Sequence, residues 1–270
     1  MKLCYQVSTP EVRPAPGVTA YQSDLETSFR RLKECGYEGA ELMVANPALI
    51  DVKEVERLAK KYELAIPMVC SGEILGQDGL TFSDPDDARR EEAISRVKAA
   101  IDVAAYFGAM INIGRVRGGY VWGYDKEWCR ARSVDGLRQV ALYAQEKGVT
   151  VCLEPVNTIA ANFINTTQEG IAMVHEIDVP AFSLMLDSNH MFICDLDMIK
   201  SVHDAKGYVK YVHLVDSNRL YPGSCKLDFG AFFQALREIG YDGYVSVEVF
   251  QRPDQDTALE KSAEFIKQFL

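Results

Sequence analysis

Residues 182–187 read FSLMLD, an apolar run of strand length that ends in a carboxylate. Runs of this kind, bounded by turn signals, are typical of strands buried on both faces of a parallel sheet. Comparable runs alternate with segments of helical periodicity about once every 34 residues, because 270 divided by eight is close to 34. We predict eight strands, at 2–7, 39–44, 64–70, 109–114, 149–154, 182–187, 208–215 and 244–249.

The segments between these runs have the apolar spacing of helices that pack one face on a sheet, as in Ile94, Val97 and Ile101. Capping-box spacing predicts helix starts at Thr166 and Thr257, and glycines at 36, 108, 148 and 240 predict helix ends. Eight β-then-α units favour an α/β fold, a single (β/α)8 TIM barrel that spans 1–270 as one catalytic domain. A doubly wound sheet is the rival, but no G-x-G-x-x-G follows the first strand.

Composition narrows the range of partners and compartments. The chain has 29 basic and 39 acidic residues, a net charge of −10, which disfavours nucleic acid as a partner. It has no apolar run of 18 residues and no secretory signal at its start, so we expect no membrane partner. Seven cysteines without a C-x-x-C pair indicate reduced thiols and a cytoplasmic location.

Four of the predicted strands end in a potential metal ligand. These are Glu154, Asp187, His213 and Glu248, at intervals of 33, 26 and 35 residues, each about one βα unit. The carboxyl ends of barrel strands meet at one rim, where the active sites of such barrels lie, so we expect these side chains to converge. One acid of this kind is often only a capped loop residue, whereas four in successive units predict a shared metal site.

Three carboxylates and one imidazole form an oxygen-rich set that suits a single divalent ion, Mn²⁺ first, with Mg²⁺ or Co²⁺ as alternatives. Glu154 and Glu248 lie on the fifth and eighth strands, three-eighths of the ring apart, and can approach a substrate from different sides. Removal of a proton on one face and its return on the other inverts a carbon next to a carbonyl. The pattern therefore predicts epimerisation through a metal-bound enediolate, with these two glutamates as the catalytic residues.

With these residues in place, nearly the whole chain resembles the sugar-epimerase branch of the xylose-isomerase-like TIM barrels. It resembles the ketose 3-epimerases of tagatose or allulose type, and most closely the 5-keto-gluconate epimerase-like proteins. The matching stretches include GLTFSDP at 79–85, GRVRG at 114–118, EPVN at 154–157, NFINT at 162–166, DSNHM at 187–191, HLVDSNR at 213–219 and SVE at 246–248. The resemblance implies the same four metal ligands, proton exchange by Glu154 and Glu248, and substrate binding by His190 and Arg219.

The chain departs from the family pattern at two loops. After the fifth strand the family often has an arginine and a second glutamate, where this chain has Thr158 and Ala160. In the seventh loop Cys225 and Lys226 replace a glycine and a histidine. The ligands and the acid–base pair are unaffected, so these differences concern the substrate. They leave open, as alternatives, aldose–ketose or keto-inositol isomerisation and β-elimination on a keto sugar.

Further candidates lie outside these motifs. Arg115 and Arg117 are both candidates for substrate binding, because a guanidinium matches a sugar carboxylate or phosphate. For each of them a surface salt bridge is the alternative. The segment 115–124 fits a sugar-stacking wall or lid, and it fits an oligomer contact or ordinary loop packing equally well. Glu73 is a weaker candidate for substrate contact, and Glu41 fits a structural role. We expect His175 and His203 to lie away from the site.

The combined prediction is a divalent-metal-dependent epimerase of a ketose or keto-sugar acid. Its partners would be a small sugar and further copies of the chain, because the family resemblance implies a homo-oligomer, dimer or tetramer. An endonuclease IV-like nuclease is a different class, but it would need more than the four histidines present and a basic face. A non-catalytic sugar binder would not need both Glu154 and Glu248.

Overall fold

The computed structural model describes residues 1–270 and shows eight parallel strands closed into a barrel in chain order, with β1 paired to both β2 and β8. The predicted TIM barrel is thereby confirmed. The strands are β1 Lys2–Ser8, β2 Gly39–Met43, β3 Met68–Cys70, β4 Met110–Ile113, β5 Val151–Leu153, β6 Phe182–Asp187, β7 Val209–Leu214 and β8 Tyr244–Val247.

Helices cover the outside of the barrel, and two short ones lie in the loops that follow β3 and β6. The helices are α1 Leu25–Cys35, α2 Val52–Tyr62, α3 Gly72–Asp78, α4 Asp87–Phe107, α5 Lys126–Lys147, α6 Thr167–Ile177, α7 Ser188–Cys194, α8 Met198–Asp204, α9 Phe229–Glu238 and α10 Gln255–Ile266. Single turns of 3₁₀ helix occupy Pro47–Leu49, Arg115–Arg117 and Lys267–Phe269. None of the helices combines the length and apolar character needed to cross a bilayer.

All eight strands lie within the predicted runs, apart from Ser8 at the end of β1, but six of them are shorter than predicted. The third begins at Met68 rather than at residue 64, because Pro67 has no N–H to donate to a ladder and Ala65 forms only an isolated bridge with Gly39. The segment after it, 72–85, contains a short helix. It begins with α3, which ends at Gly79 in the left-handed conformation.

The helix ends confirm most of the capping predictions. Thr166 caps α6 with the reciprocal Glu169 contact of a capping box, and Gly36, Gly108 and Gly148 end their helices in the left-handed conformation. The predicted start at Thr257 is wrong. Asp254 is the cap of α10 and accepts a hydrogen bond from the backbone N–H of Thr257 at 2.8 Å. A carboxylate at this position also suits the positive end of the helix dipole.

The barrel interior is filled by side chains just below the predicted site. Cys152, Met185 and Tyr211 lie two residues before Glu154, Asp187 and His213 on their strands, and with Met68 they form a buried cluster. Because side chains two apart on a strand share a face, this cluster is the layer directly beneath the site residues. The rim is therefore closed from below by packed apolar groups, and the site opens only toward the loops.

Candidate active site

The four side chains predicted to bind a metal converge at the carboxyl ends of β5 to β8. Each of Glu154, Asp187, His213 and Glu248 offers one ligand atom, these atoms all lie within 4.8 Å of one another, and all four residues are buried. Asp187 and His213 are also register partners across β6 and β7, so the sheet itself sets their spacing. Hydrogen-bonded neighbours then orient each side chain.

The two carboxylate oxygens of Asp187 have different contacts. It is the N-cap of α7, and its Oδ1 accepts the backbone N–H of His190 at 2.8 Å. The same contact fixes the start of α7 and brings the His190 ring to the rim. The second oxygen, Oδ2, faces the site and lies 3.4 Å from Nη1 of Arg219.

His213 is oriented by a carboxylate on the opposite side of its ring. Its Nε2 lies 3.0 and 3.1 Å from the two carboxylate oxygens of Glu41, and both side chains are completely buried. Nδ1 therefore points toward the site, 3.4 Å from Glu154 Oε1 and 3.6 Å from Glu248 Oε2. Gln6 supports Glu41 by donating from Nε2 at 3.0 Å. A carboxylate that holds the far nitrogen of a histidine is the usual arrangement behind a metal ligand.

The two glutamates are held by different partners. Asn112 at the end of β4 donates from Nδ2 to Glu154 Oε2 at 3.1 Å, and Arg219 donates to Glu248 Oε2. Gly114 leaves room for Glu154, because a Cβ at that position would lie 2.6 Å from Oε2. Glu248 Oε1 also accepts a hydrogen bond from Gln6 Nε2 at 3.4 Å, whereas the remaining oxygen of Glu154, Oε1, faces the shared centre.

Two buried atoms at that centre have no hydrogen-bond partner, Glu154 Oε1 and His213 Nδ1. Unpaired buried polar atoms are costly, so a pair of them in one ligand set indicates a missing partner. The surroundings are strongly acidic, with three carboxylates in the set and Glu41 behind His213. The donor set, its charge and its unpaired atoms fit a divalent cation.

The pKa shifts follow this charge distribution. Burial alone would raise the pKa of both glutamates, but His213 beside Glu154, and Arg219 and His213 beside Glu248, outweigh it and hold each pKa below the ordinary value. Burial lowers the pKa of His213, yet Glu41 and Glu248 raise it well above its usual range. The glutamates therefore stay ionised, and the cluster attracts positive charge.

His190 is held as a hydrogen-bond donor toward the cavity. Asn157 Oδ1 accepts the backbone N–H groups of Ile159 and Ala160, which turns its Nδ2 toward His190 Nδ1 at 2.8 Å. Nδ1 must then accept, and this short contact outweighs the approach of Arg219 Nη1 to Nε2 at 3.5 Å, so a neutral ring has its proton on Nε2. Burial lowers the pKa of His190, which favours that neutral state. Nε2 lies 3.9 Å from Glu154 Oε1, at the edge of the site.

The ligand set opens into a cavity of about 400 Å³, a size suited to a small molecule. The three side chains predicted to bind substrate, Arg115, His190 and Arg219, all line it together with Glu154 and Glu248. Arg219 lies in a left-handed backbone conformation within a loop whose N–H groups bond to the buried Asp216. Lys226 is exposed on the same loop and does not line the cavity.

Comparison with known proteins agrees with this geometry. Residues 29–269 match the family described as xylose isomerase-like TIM barrel. The chain belongs to this family. It is 32% identical over 254 residues to an L-ribulose 3-epimerase of Methylomonas sp. strain DH-1, covering 86% of this chain and 87% of that protein. It is 28% identical over 240 residues to a 3-dehydro-D-guloside 4-epimerase of Escherichia coli K12, covering 84% and 88%.

Among solved structures, a D-allulose 3-epimerase from Methylomonas sp. in complex with D-allulose superposes with a TM-score of 0.82 and 26% identity. The match covers all of this chain and 97% of that one. The chain described here therefore shares its fold over its whole length with a D-allulose 3-epimerase that was solved in complex with D-allulose.

Some sequence-based candidates lie elsewhere. Arg117 neither meets an anion nor forms a surface salt bridge, because it is completely buried and donates five hydrogen bonds to carbonyl oxygens of Gly114, Glu154, Phe163 and Ile164. Burial lowers its pKa to about 10. All five N–H groups of a guanidinium are thus used, and the residue ties the loop after β4 to the end of β5.

The remaining candidates are the aromatic residues of segment 115–124, Glu73 and two histidines, and they differ in whether they line the cavity. Trp122 is 99% exposed and does not line the cavity, whereas Tyr120 packs against Phe163. Glu73 lines the cavity. His175 contacts Tyr208 and His203 pairs with Glu238, both away from the site as predicted.

Sequence reasoning missed the residues that hold the site together. Asn112, Asn157 and Gln6 contact Glu154, His190 and Glu41 respectively, and all three are buried. Each is a polar residue within or directly after a strand-like run, so an amide at the end of an apolar run is the signal that could have identified them.

Proposed function

We propose that this chain is a divalent-metal-dependent epimerase that inverts a carbon next to the carbonyl of a ketose or keto sugar. The observation that carries the proposal is the pairing of Glu154 and Glu248, two ionised carboxylates at one ligand set, with the cavity open to both. The L-ribulose and D-allulose epimerases among its relatives support a ketose substrate, and the guloside epimerase supports a keto sugar. The whole chain, 1–270, would form the catalytic unit.

Glu154, Asp187, His213 and Glu248 would hold the ion. A divalent ion bound there would acidify the C–H next to a carbonyl and offset the negative charge that develops. The oxygen-rich set favours Mn²⁺, with Mg²⁺ or Co²⁺ as alternatives.

In this proposal one glutamate removes the proton and the other returns one to the opposite face, with the direction set by the configuration of the substrate. Asn112 holds Glu154 and Arg219 holds Glu248, so each carboxylate keeps its position while its protonation changes. His190 donates from Nε2 to a substrate oxygen, because Asn157 occupies its other nitrogen. Arg219 and Arg115 contact substrate hydroxyl or acidic groups from the cavity wall.

The test is solvent-proton exchange with Mn²⁺-loaded protein in deuterated water, using L-ribulose, D-psicose and a 3-keto glycoside. Epimerisation by two bases places deuterium on the inverted carbon. Glu154→Gln and Glu248→Gln should each lower turnover by about 10²-fold or more, since each removes an acid–base group. Glu91→Gln, an exposed acid on α4, is the control and should keep the wild-type rate.

Two results would overturn this proposal. The two-base assignment fails if either glutamine variant turns over near the wild-type rate. An aldose or an unsaturated product, without inversion, would instead assign the isomerase or eliminase alternative.

We also propose a cytoplasmic homo-oligomer, a dimer or a tetramer. The seven cysteines are all free, which suits a reducing compartment. Large apolar side chains are exposed in the loops after β4, β5 and β6, namely Trp122, Ile159, Phe192 and Leu196. Light scattering on wild type and on Leu196→Glu tests this, because a monomeric wild type, or an oligomer unaffected by the added charge, contradicts the proposed interface.

A further inference from the structure

A second cavity adjoins the first on the side of the loops after β4 and β5. Its volume is also about 400 Å³, and Arg115, Ile159 and Ala160 line both cavities. The second cavity, here called the side cavity, is lined elsewhere by Thr158, Tyr120 and the glycines at 118 and 119. The two spaces are thus neighbours of matching size that meet along three shared residues.

Two of the three residues at the boundary between the cavities, Ile159 and Ala160, are exposed. Ala160 contributes only a methyl group to this boundary, and Ile159 is 84% exposed. The Arg115 guanidinium donates no hydrogen bond within the protein, and the nearest carboxylate oxygen, Glu73 Oε1, is 3.9 Å from its Nη2. A guanidinium with free N–H groups beside a cavity is available to hydroxyl oxygens of a ligand.

The lining of the side cavity suits a sugar ring. Tyr120 and Ile159 present apolar surface, and the Thr158 hydroxyl has only a distant sulfur contact, with Cys194 Sγ at 4.0 Å. Carbohydrates are bound by such a mixture of apolar faces and hydrogen-bonding groups. No further arginine or lysine lines the side cavity, although Lys126 Nζ lies 5.5 Å from the centre of the Tyr120 ring.

We propose that the side cavity binds a second sugar ring, so that the substrate is a keto sugar within a disaccharide rather than a free monosaccharide. This inference rests on the proposed function, because it requires the reacting ring to lie at Glu154 and Glu248 in the first cavity. The second ring then passes Ala160 and lies against Tyr120 and Ile159, with Arg115 bonded to oxygens near the glycosidic link.

The experiment compares three ketones on Mn²⁺-loaded full-length protein: D-psicose, methyl 3-keto-glucoside and the disaccharide 3-ketosucrose. Solvent deuterium incorporation gives kcat/KM for each. The methyl glycoside has the same reacting ring as the disaccharide but lacks the second ring, so their ratio isolates the side cavity. We expect kcat/KM for 3-ketosucrose to be at least tenfold higher than kcat/KM for the methyl glycoside.

A variant pair assigns the preference to the side cavity. Thr158→Trp fills that cavity from an exposed position and should lower the disaccharide-to-methyl-glycoside ratio at least tenfold. Thr158→Ser keeps the hydroxyl and leaves the space open, so it should change the ratio by less than threefold. Equal kcat/KM for the two glycosides, or a ratio that is unchanged in Thr158→Trp, overturns the inference. In either case, turnover of D-psicose would still support the proposed function. Lack of exchange with all three ketones ends both proposals.

Discussion

Gly114 offers the sharpest test of how closely the site is built around Glu154. A Cβ at residue 114 would lie 2.6 Å from Glu154 Oε2, whereas ordinary contact begins at 3.4 Å. Gly114→Ala must therefore displace the carboxylate by about 0.8 Å, the difference between these two distances. The displaced oxygen is the one that Asn112 holds, so the substitution also disturbs that hydrogen bond.

A misplacement of about 1 Å in a reacting group can cost about 10²-fold in rate. We expect a loss of about 10- to 100-fold in kcat, equivalent to about 1.4 to 2.7 kcal/mol in the barrier. The fold should tolerate the change, because overpacking by one methyl group costs about 1–3 kcal/mol of stability.

The assay is deuterium exchange at saturating Mn²⁺, with metal content measured on the same samples and unfolding followed by circular dichroism. Gly17→Ala is the matched control, since the added methyl group there meets no atom within 4 Å. If Gly114→Ala keeps kcat within twofold of wild type, the position of Glu154 is not critical and the two-base reasoning is wrong.

Three further results are expected. Glu41→Gln should weaken Mn²⁺ binding by about 10- to 100-fold, because it removes the charge that orients His213; an unchanged Kd in a metal titration would contradict this. Arg117→Met should lower the free energy of unfolding in urea by about 3 kcal/mol or more, since it leaves buried carbonyl oxygens unpaired, and a loss below about 1 kcal/mol would refute it. Iodoacetamide should label exposed Cys225 well before Cys4 and Cys152, because burial raises the pKa of both buried thiols to about 12; mass spectrometry of the peptides shows the order.

The features that recur once in every βα unit could be predicted from the sequence. Strands buried on both faces appear as apolar runs, and the spacing of Glu154, Asp187, His213 and Glu248 by about one βα unit predicts that they share one rim. This works because a parallel barrel aligns the carboxyl ends of its strands, so position along the chain translates directly into position in space.

The contacts that orient these groups could not be predicted in the same way. Arg117 bonds to backbone carbonyl oxygens of Phe163 and Ile164, and a carbonyl acceptor is the same in every residue type. Glu41 meets His213 across 172 positions of sequence, a pairing set by the closure of the ring rather than by local pattern. At α10, Asp254 and Thr257 were both plausible caps three residues apart, and only the backbone conformation decides between them.

The support of His213 by β1 and β2 has a consequence for how the protein matures. Gln6 and Glu41 are synthesised before His213. Glu41 nevertheless contacts His213 only when the strands have closed into the barrel. A translation intermediate that stops at Leu214 would have three of the proposed ligands without Glu248 and without a joined ring. The complete ligand set can assemble only once β8 has closed the ring, so we expect the tightest binding of a divalent ion in fully folded chains.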